Sequence, residues 1–296
     1  MFVLSGDIGG TTSRFAVYDE QYNVAEYEEI KTKNITNFQD TLRNIFDNVS
    51  KKGYIIEKIS LGVAGPVNKE KITLTNTDLT IDMQRIRMLP VKEIYVLNDV
   101  EAYGYGVTTI KDVTHITGPK NTKGTKAVLT VGTGVGKAII TNQNPPLVLP
   151  SEGGHIEPPY TFMNIIKKQQ EILGTAQVTI EDILGGKNIT HINKAMTGNT
   201  TSIKKIFRNE EYKETKEVLE NILISTARNY ALTSMCTGGL YLGGGVIQKH
   251  HDLLKKLKKE FTTHKTHSEF LENIPVYRVD NPKTGLQGAA TYALLQ

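Results

Sequence analysis

Three glycine-rich turns and a short set of acids and amides are the residues of this 296-residue chain best equipped for chemistry. In Gly6-Asp7-Ile8-Gly9-Gly10-Thr11-Thr12-Ser13-Arg14 a carboxylate leaves an apolar run and is followed at once by glycines. Glycine lets backbone approach closely, so such a turn can offer N–H groups to phosphate oxygens. Asp7 then stands where a hydrated magnesium ion needs an acidic ligand, since magnesium keeps most of its water and takes one or two carboxylates. A purely structural hairpin would use the same glycines, and the motif alone leaves both readings open. Gly132-Thr133-Gly134-Val135-Gly136 repeats the arrangement of strand, turn and strand, and two such loops can clamp a triphosphate. Gly243-Gly244-Gly245 follows the run Leu240 to Leu242 and opens a helical pattern, a layout that puts a helix N-terminus beside an anion. None of the three continues into Gly-Lys-Ser/Thr, so this is not a Walker A loop.

The elements that must carry these turns follow from periodicity. Phe2 to Ile8 and Phe15 to Tyr18 read as a hairpin, and Ile59 to Ala64 and Ile94 to Asn98 as short strands buried in a mixed sheet. Thr36 with Gln39 makes a capping box, and Phe38, Leu42, Ile45, Phe46 and Val49 continue it as a helix to about Lys52. From Lys126 the plan restarts with a strand to Val131, the second glycine turn, and a strand from Lys137 to Thr141. That is a similarity between halves, and it predicts two related α/β domains. Helices are expected over Phe162 to Leu173, Asn188 to Met196, Tyr212 to Met235 and Val246 to Phe261, with His250-His251 on an exposed face. A strand follows at Ile274 to Val279. The Ala-rich helix Thr284 to Leu295 is expected to return to the first domain. The expected boundaries are a small domain over 1–109, completed by 283–296, and a large one over 110–282.

Composition narrows the partners. With 39% hydrophobic and 22% charged residues the chain can bury two modest cores. The net charge of +4 is small, and lysines such as Lys255 to Lys259 lie scattered on helical faces, so no nucleic-acid partner is expected, while anionic small molecules suit the balance. The one cysteine, Cys236, excludes a disulfide scaffold and a cysteine-rich zinc site. No apolar run is long enough to span a bilayer, and the N-terminus enters a strand directly, so no membrane partner and a cytoplasmic location are expected.

In order, Gly6 to Thr11, Gly62-Val63-Ala64-Gly65-Pro66-Val67, Leu74-Thr75-Asn76, Leu97-Asn98-Asp99-Val100-Glu101-Ala102, Gly132 to Gly136, Glu152-Gly153-Gly154-His155, Gly238 to Gly245 and Ile274-Pro275-Val276-Tyr277 span nearly the whole chain. This set resembles the bacterial-type glucokinases, sugar kinases of the hexokinase, heat-shock ATPase and actin-like superfamily. The resemblance implies an α/β, two-domain duplicated actin-like (ribonuclease H-like) fold with mixed sheets flanked by helices. It implies ATP and Mg2+ as cofactors, a homodimer, and phosphorylation of glucose at its 6-hydroxyl. It places Asn98, Asp99, Glu152, His155 and Glu181 at the sugar, the last through Glu181-Asp182-Ile183-Leu184-Gly185-Gly186, with Asn76 beside them. Asp99 becomes the general base for the attacking hydroxyl. Gly9, Gly10, Thr11, Thr12, Gly132, Thr133, Gly134, Gly243, Gly244 and Gly245 fall to the nucleotide, and Asp7 reaches magnesium indirectly.

Each assignment has a plainer counterpart, since Asp99 could cap a helix from Val100 and His155 could be a satisfied histidine beside two glycines. The chain also departs from the family pattern. Thr12 replaces an asparagine, Ser151 replaces a glycine, and Thr77-Asp78-Leu79-Thr80 stands where many relatives carry tryptophan. These leave open a kinase for mannose, glucosamine or an N-acetylhexosamine, or a non-catalytic sugar-sensing relative. The intact Asp99 and the first strand at Phe2 speak against the last.

Overall fold

A computed structural model describes residues 1–67, 70–75 and 77–296. The chain divides into two compact units, residues 1–111 with 283–296, and residues 112–282.

In unit one, β1 (Phe2–Ile8), β2 (Thr12–Tyr18), β3 (Val24–Lys31), β4 (Ile56–Val63) and β7 (Glu93–Asn98) form a sheet of order β3-β2-β1-β4-β7, and β5 (Lys71–Thr73) pairs with β6 (Thr80–Asp82) as a separate hairpin. β2 runs antiparallel to both β1 and β3, whereas β1, β4 and β7 are parallel. The last five residues of β4 are all buried, as in a strand covered on both faces. One cover is the helix Phe38–Lys51, whose Phe38, Leu42, Ile45, Phe46 and Val49 join Leu4, Phe15, Ile59 and Leu61 in one cluster. The other is the helix Thr284–Leu295, whose Leu286, Ala290 and Ala293 meet Val3, Ala16 and Tyr18.

The first helix starts later than its capping box predicts. Asn37 is the cap, its side-chain oxygen accepting the Asp40 N–H at 3.1 Å, and Gln39 donates instead to the Thr80 carbonyl at 3.2 Å. Asn at this position caps as well as Thr, and its extended backbone places the oxygen correctly.

Unit two repeats the plan with β9 (Lys126–Val131), β10 (Val135–Ile140), β11 (Val148–Ser151), β12 (Gly239–Gly243) and β13 (Val276–Val279), in the order β11-β10-β9-β12-β13, and adds β8 (Val113–Thr117) antiparallel beside β13. β9, β10 and β11 are antiparallel and β9, β12 and β13 parallel, so strand order and polarity match unit one. The helix Lys213–Ser234 sets Leu219, Leu223, Ala227 and Ala231 in the cluster that holds Leu129, Leu240 and Leu242.

The single helix expected over Val246 to Phe261 is broken into Gly245–Lys249, a 3-10 turn His251–Leu254, and Leu257–Glu260. The break falls at His250, which leaves helical geometry (φ −130°, ψ 66°) and stacks on Phe207 with ring centroids 4.0 Å apart. Glu220 then fixes the restart by accepting the Lys256 N–H at 2.6 Å. His250 is therefore half-buried rather than on an exposed helical face. Among the described residues no helix is long and apolar enough to cross a membrane.

Candidate active site

In unit one the chemistry collects at the carboxyl ends of the parallel strands, where open α/β sheets bind ligands. Asp7, Gly62 and Leu97 lie side by side across β1, β4 and β7. With neighbouring strands about 4.8 Å apart, the outer two backbones are about 10 Å apart. Asn98 ends β7, and its side-chain oxygen accepts the Val100 N–H at 2.9 Å, so Asn98 is the N-cap and Asp99 the first residue of the helix Asp99–Val107. The Asp99 carboxylate also accepts that N–H, at 3.0 Å. A carboxylate in the first turn is favoured by the helix dipole. Gly62 lets this helix settle onto β4: a Cβ there would stand 2.8 Å from that of Ala102 and 3.9 Å from the Asp99 Cα.

Asp7 carries a network that the sequence did not announce. Arg14 Nη1 reaches its carboxylate at 3.5 Å, Arg14 Nε donates to Glu29 at 2.9 Å, and the Tyr27 hydroxyl donates to the same Glu29 oxygen at 2.8 Å. The Lys283 ammonium lies 3.8 Å from the centre of the Tyr27 ring. Burial pushes the Asp7 carboxyl up, and Arg14 pulls it back toward the ionised form. The start of the helix Thr284–Leu295 faces it, a Cβ at Gly285 standing 3.5 Å from the carboxyl.

The turn beyond Asp7 is held by its carbonyls. Thr32 Oγ1 donates to the Gly9 carbonyl at 2.6 Å and the Thr32 N–H to that of Thr11 at 3.1 Å, while the Gly9 N–H closes the hairpin on Thr12 at 3.1 Å. The N–H groups of Gly10 and Thr11 meet no protein acceptor among the described residues. Among those residues, too, no three His, Cys, Asp or Glu side chains gather to hold a metal. A single carboxylate fits magnesium that arrives on nucleotide phosphates with its water.

Unit two brings together Glu152, His155, Glu181 and the second glycine turn. The His155 N–H donates to the Glu152 carbonyl at 3.0 Å, and the two side chains, both exposed, stand 3.6 Å apart. The Glu181 N–H donates to the Gly154 carbonyl at 2.9 Å, which ties this loop to the helix Glu181–Leu184. From there the Glu181 carboxylate accepts the Val135 N–H at 2.8 Å. It can lie on the turn because Gly134 has no side chain: a Cβ there would stand 2.4 Å from Oε2. Gly132 is held from both sides, its N–H donating to Gly134 at 2.9 Å and its carbonyl accepting from Gly186 at 2.8 Å. Thr133 is exposed, and the N–H groups of Thr133 and Gly134 meet no protein acceptor among the described residues.

The third glycine loop lies alongside. Gly243 pairs with Thr130, and Gly245 N is 3.8 Å from where a Gly132 Cβ would stand. Gly244 turns the chain at φ +90°, with a Cβ position 2.5 Å from the Val131 carbonyl oxygen. The helix it opens, Gly245–Lys249, is only five residues long.

Lys137 lies beside the second glycine turn, at the second position after Val135 on β10. It is 4% exposed on β10, its ammonium is 5.2 Å from the centre of the Tyr230 ring, and burial pulls its pKa down to about 8. Its signal was a lysine on the core-facing parity of an apolar strand. Asn76 lies outside the described residues.

The glucokinase family model matches residues 4–296, and the chain belongs to that family. It is 28% identical to the glucokinase of Agrobacterium fabrum over 98% of this chain and 91% of that one. Its fold is similar to the crystal structure of a glucokinase from an Antarctic psychrotroph, with a TM-score of 0.81, 24% identity and 98% of each chain covered. It is also similar to a ROK family glucokinase from Streptomyces griseus in complex with glucose and AMPPNP, with a TM-score of 0.61, 19% identity and 99% of each chain covered. The two matching mixed sheets flanked by helices are the duplicated actin-like fold of these kinases.

Proposed function

We propose that the protein transfers the γ-phosphoryl group of ATP to the 6-hydroxyl of glucose, with Asp99 as the general base. The observation that carries this reading is Asn98-Asp99 at the carboxyl end of β7, where Asn98 caps the helix Asp99–Val107 and Asp99 is its first residue. Family membership and the glucose and AMPPNP bound by the Streptomyces griseus protein support it.

In this reading Asn98, Asp99, Glu152, His155 and Glu181 hold the sugar hydroxyls, with Asn76 beside them. Asp99 takes the proton as the 6-oxygen attacks the phosphorus, and ADP leaves without a covalent enzyme intermediate. The turns Gly9 to Thr12, Gly132 to Gly134 and Gly243 to Gly245 supply N–H and hydroxyl donors to the phosphates. Asp7, whose carboxyl is raised by burial and partly lowered again by Arg14, would accept from the water shell of a magnesium ion carried on the nucleotide, an ion that would offset phosphate charge. We further propose a small domain over 1–109 with 283–296, a large one over 110–282, and a homodimer working in the cytoplasm, with neither nucleic acid nor membrane as partner.

The test is a coupled ADP-release assay on a panel of glucose, mannose, glucosamine and N-acetylglucosamine with ATP and Mg2+. Glucose is expected to give the highest kcat/KM. A higher value for another hexose would replace the sugar and keep the reaction, and no turnover with any sugar would end the kinase reading.

A further inference from the structure

We propose that Glu181 is a sugar-released latch on the second glycine turn, a positioning residue that withholds one phosphate-binding amide until the sugar is bound. The inference rests on the reading above, in which Glu181 contacts sugar and Gly132 to Gly134 contact nucleotide, and it adds the next amide, that of Val135.

Three consecutive amides, those of Thr133, Gly134 and Val135, follow one another here, and among the described residues only the last has a protein acceptor, the Glu181 carboxylate at 2.8 Å. A hydrogen bond from an amide to an ionised carboxylate is about twice as strong as one between neutral groups. Its acceptor also places a negative charge where a triphosphate would otherwise sit. The turn is therefore occupied by the kind of group it would bind, an anion, supplied by a side chain 46 residues away.

The geometry allows this carboxylate to leave while its backbone stays. The Glu181 N–H is held by Gly154, and the Glu181 carbonyl accepts from Gly185 N at 2.8 Å and from Asn188 Nδ2 at 2.9 Å. Nδ2 of Asn188, Gly185 and Gly154 thus anchor the main chain, and only side-chain torsions separate a carboxylate on the turn from one off it. The absent Cβ at Gly134 makes the docked position possible. The same Gly154 contact leads directly to Glu152 and His155, so the latch is built into the segment that presents the sugar ligands.

A sugar hydroxyl that donates to Glu181 competes with the Val135 N–H for the same acceptor. The released amide then donates to a phosphate oxygen. A ligand shifts such an equilibrium only by its differential affinity for the two positions, so glucose and nucleotide must strengthen each other's binding equally. A coupling of about tenfold lies within the usual range for linked sites.

Two measurements test this on the full chain. In wild type, amide hydrogen exchange of Val135 followed by NMR is expected to rise about tenfold with glucose alone and to fall again when AMPPNP and Mg2+ are added. Unchanged exchange with saturating glucose overturns the latch. By calorimetry, Glu181→Ala is expected to bind AMPPNP with Mg2+ in the absence of sugar about tenfold more tightly than wild type, with no further gain from glucose. Glu181→Gln, which keeps an acceptor for Val135 without the charge, is expected to fall between. A Glu181→Ala chain that loses glucose binding while its sugar-free nucleotide affinity stays at the wild-type value sinks the latch alone. One that binds glucose with wild-type affinity sinks the sugar assignment of Glu181. Should Glu181→Ala fail to fold, the wild-type exchange experiment decides.

Discussion

The two units share strand order and polarity, yet matching positions carry different chemistry. The row Gly6–Leu61–Val96 corresponds to Leu129–Leu242–Arg278, each starting two residues before its first strand ends. One step on, unit one sets the acid Asp7 opposite Arg14, and unit two sets Thr130 opposite Gly136. At the third strand, Asn98-Asp99 corresponds to Asp280-Asn281, amide and acid exchanged. Asp280 is fastened in place: the Thr114 hydroxyl donates to it at 2.6 Å and Arg278 Nε binds its other oxygen. The two units share one frame, and under the proposed reaction the acid at the strand end serves the site in one unit, while its counterpart in the other is held by Thr114 and Arg278.

The largest expected effect separates these two acids. Asp99→Asn should lower kcat by about 10³-fold, the scale of general-base loss, with the melting temperature nearly unchanged. A full loss of sugar binding in this variant, seen by calorimetry, would point to a positioning role instead. The turns offer the next contrast. Gly244 has φ +90° and ψ 159°, a region almost closed to side chains, and its Cβ position presses on a backbone carbonyl rather than on a movable side chain. Gly244→Ala should therefore cost about 3 kcal/mol of stability by denaturant titration. A loss below about 1 kcal/mol would show that the Val131 backbone can give way.

A third contrast lies in the cores. Ser13 pairs with Ile8 and Val135 with Val131, the last residues of their first strands, so Lys137 stands where unit one has Phe15, which is 1% exposed. Burial depresses the Lys137 pKa to about 8, against 10.5 when exposed. Between those values the unfolded chain binds more protons than the folded one, so this group makes stability rise with pH from about 8 to 10.5. Below that window the charged amine costs its full amount. Lys137→Met keeps the apolar stem and removes the ammonium. It should raise stability at pH 7 by about 2 kcal/mol, a gain that fades toward pH 10. Thermal unfolding of both proteins at several pH values checks the size and the fading, and a destabilised variant would mean that the amine has an anionic partner in solution.

What the sequence made legible were the features written in consecutive residues: the apolar strands ending in glycine or Asn98-Asp99, and the helix stripe from Phe38 to Val49. Edge strands were missed because their pattern is weak. β3 exposes Glu28 and Glu29, and β8 is a five-residue run beside a single neighbour. The helix break at His250 was invisible because its causes, Phe207 and Glu220, come from distant segments. The same holds for the site. Asp99 could be read from its strand, but the contact of Glu181 with Val135 and the Arg14–Glu29 support of Asp7 join positions that only the fold brings together.

The smallest expected effect concerns Asp280. Burial raises the pKa of its carboxyl, but the hydrogen bonds from Arg278 and Thr114 outweigh that and hold it below the usual aspartate value of 3.8. A carboxyl lowered by folding contributes stability that is complete above its unfolded pKa and is lost as the pH falls through its folded one. Because the group is about a third exposed, solvent screening keeps the contribution to about 1 kcal/mol. Asp280→Asn should therefore be about 1 kcal/mol less stable than wild type at pH 7, and the difference should close on acidification below pH 3.8. Its kcat should stay within about twofold of wild type, since no transition-state contact is removed. A kcat loss approaching that of Asp99→Asn would mean that the acid at the second strand end also serves the reaction, and the division of labour between the two copies would have to be redrawn.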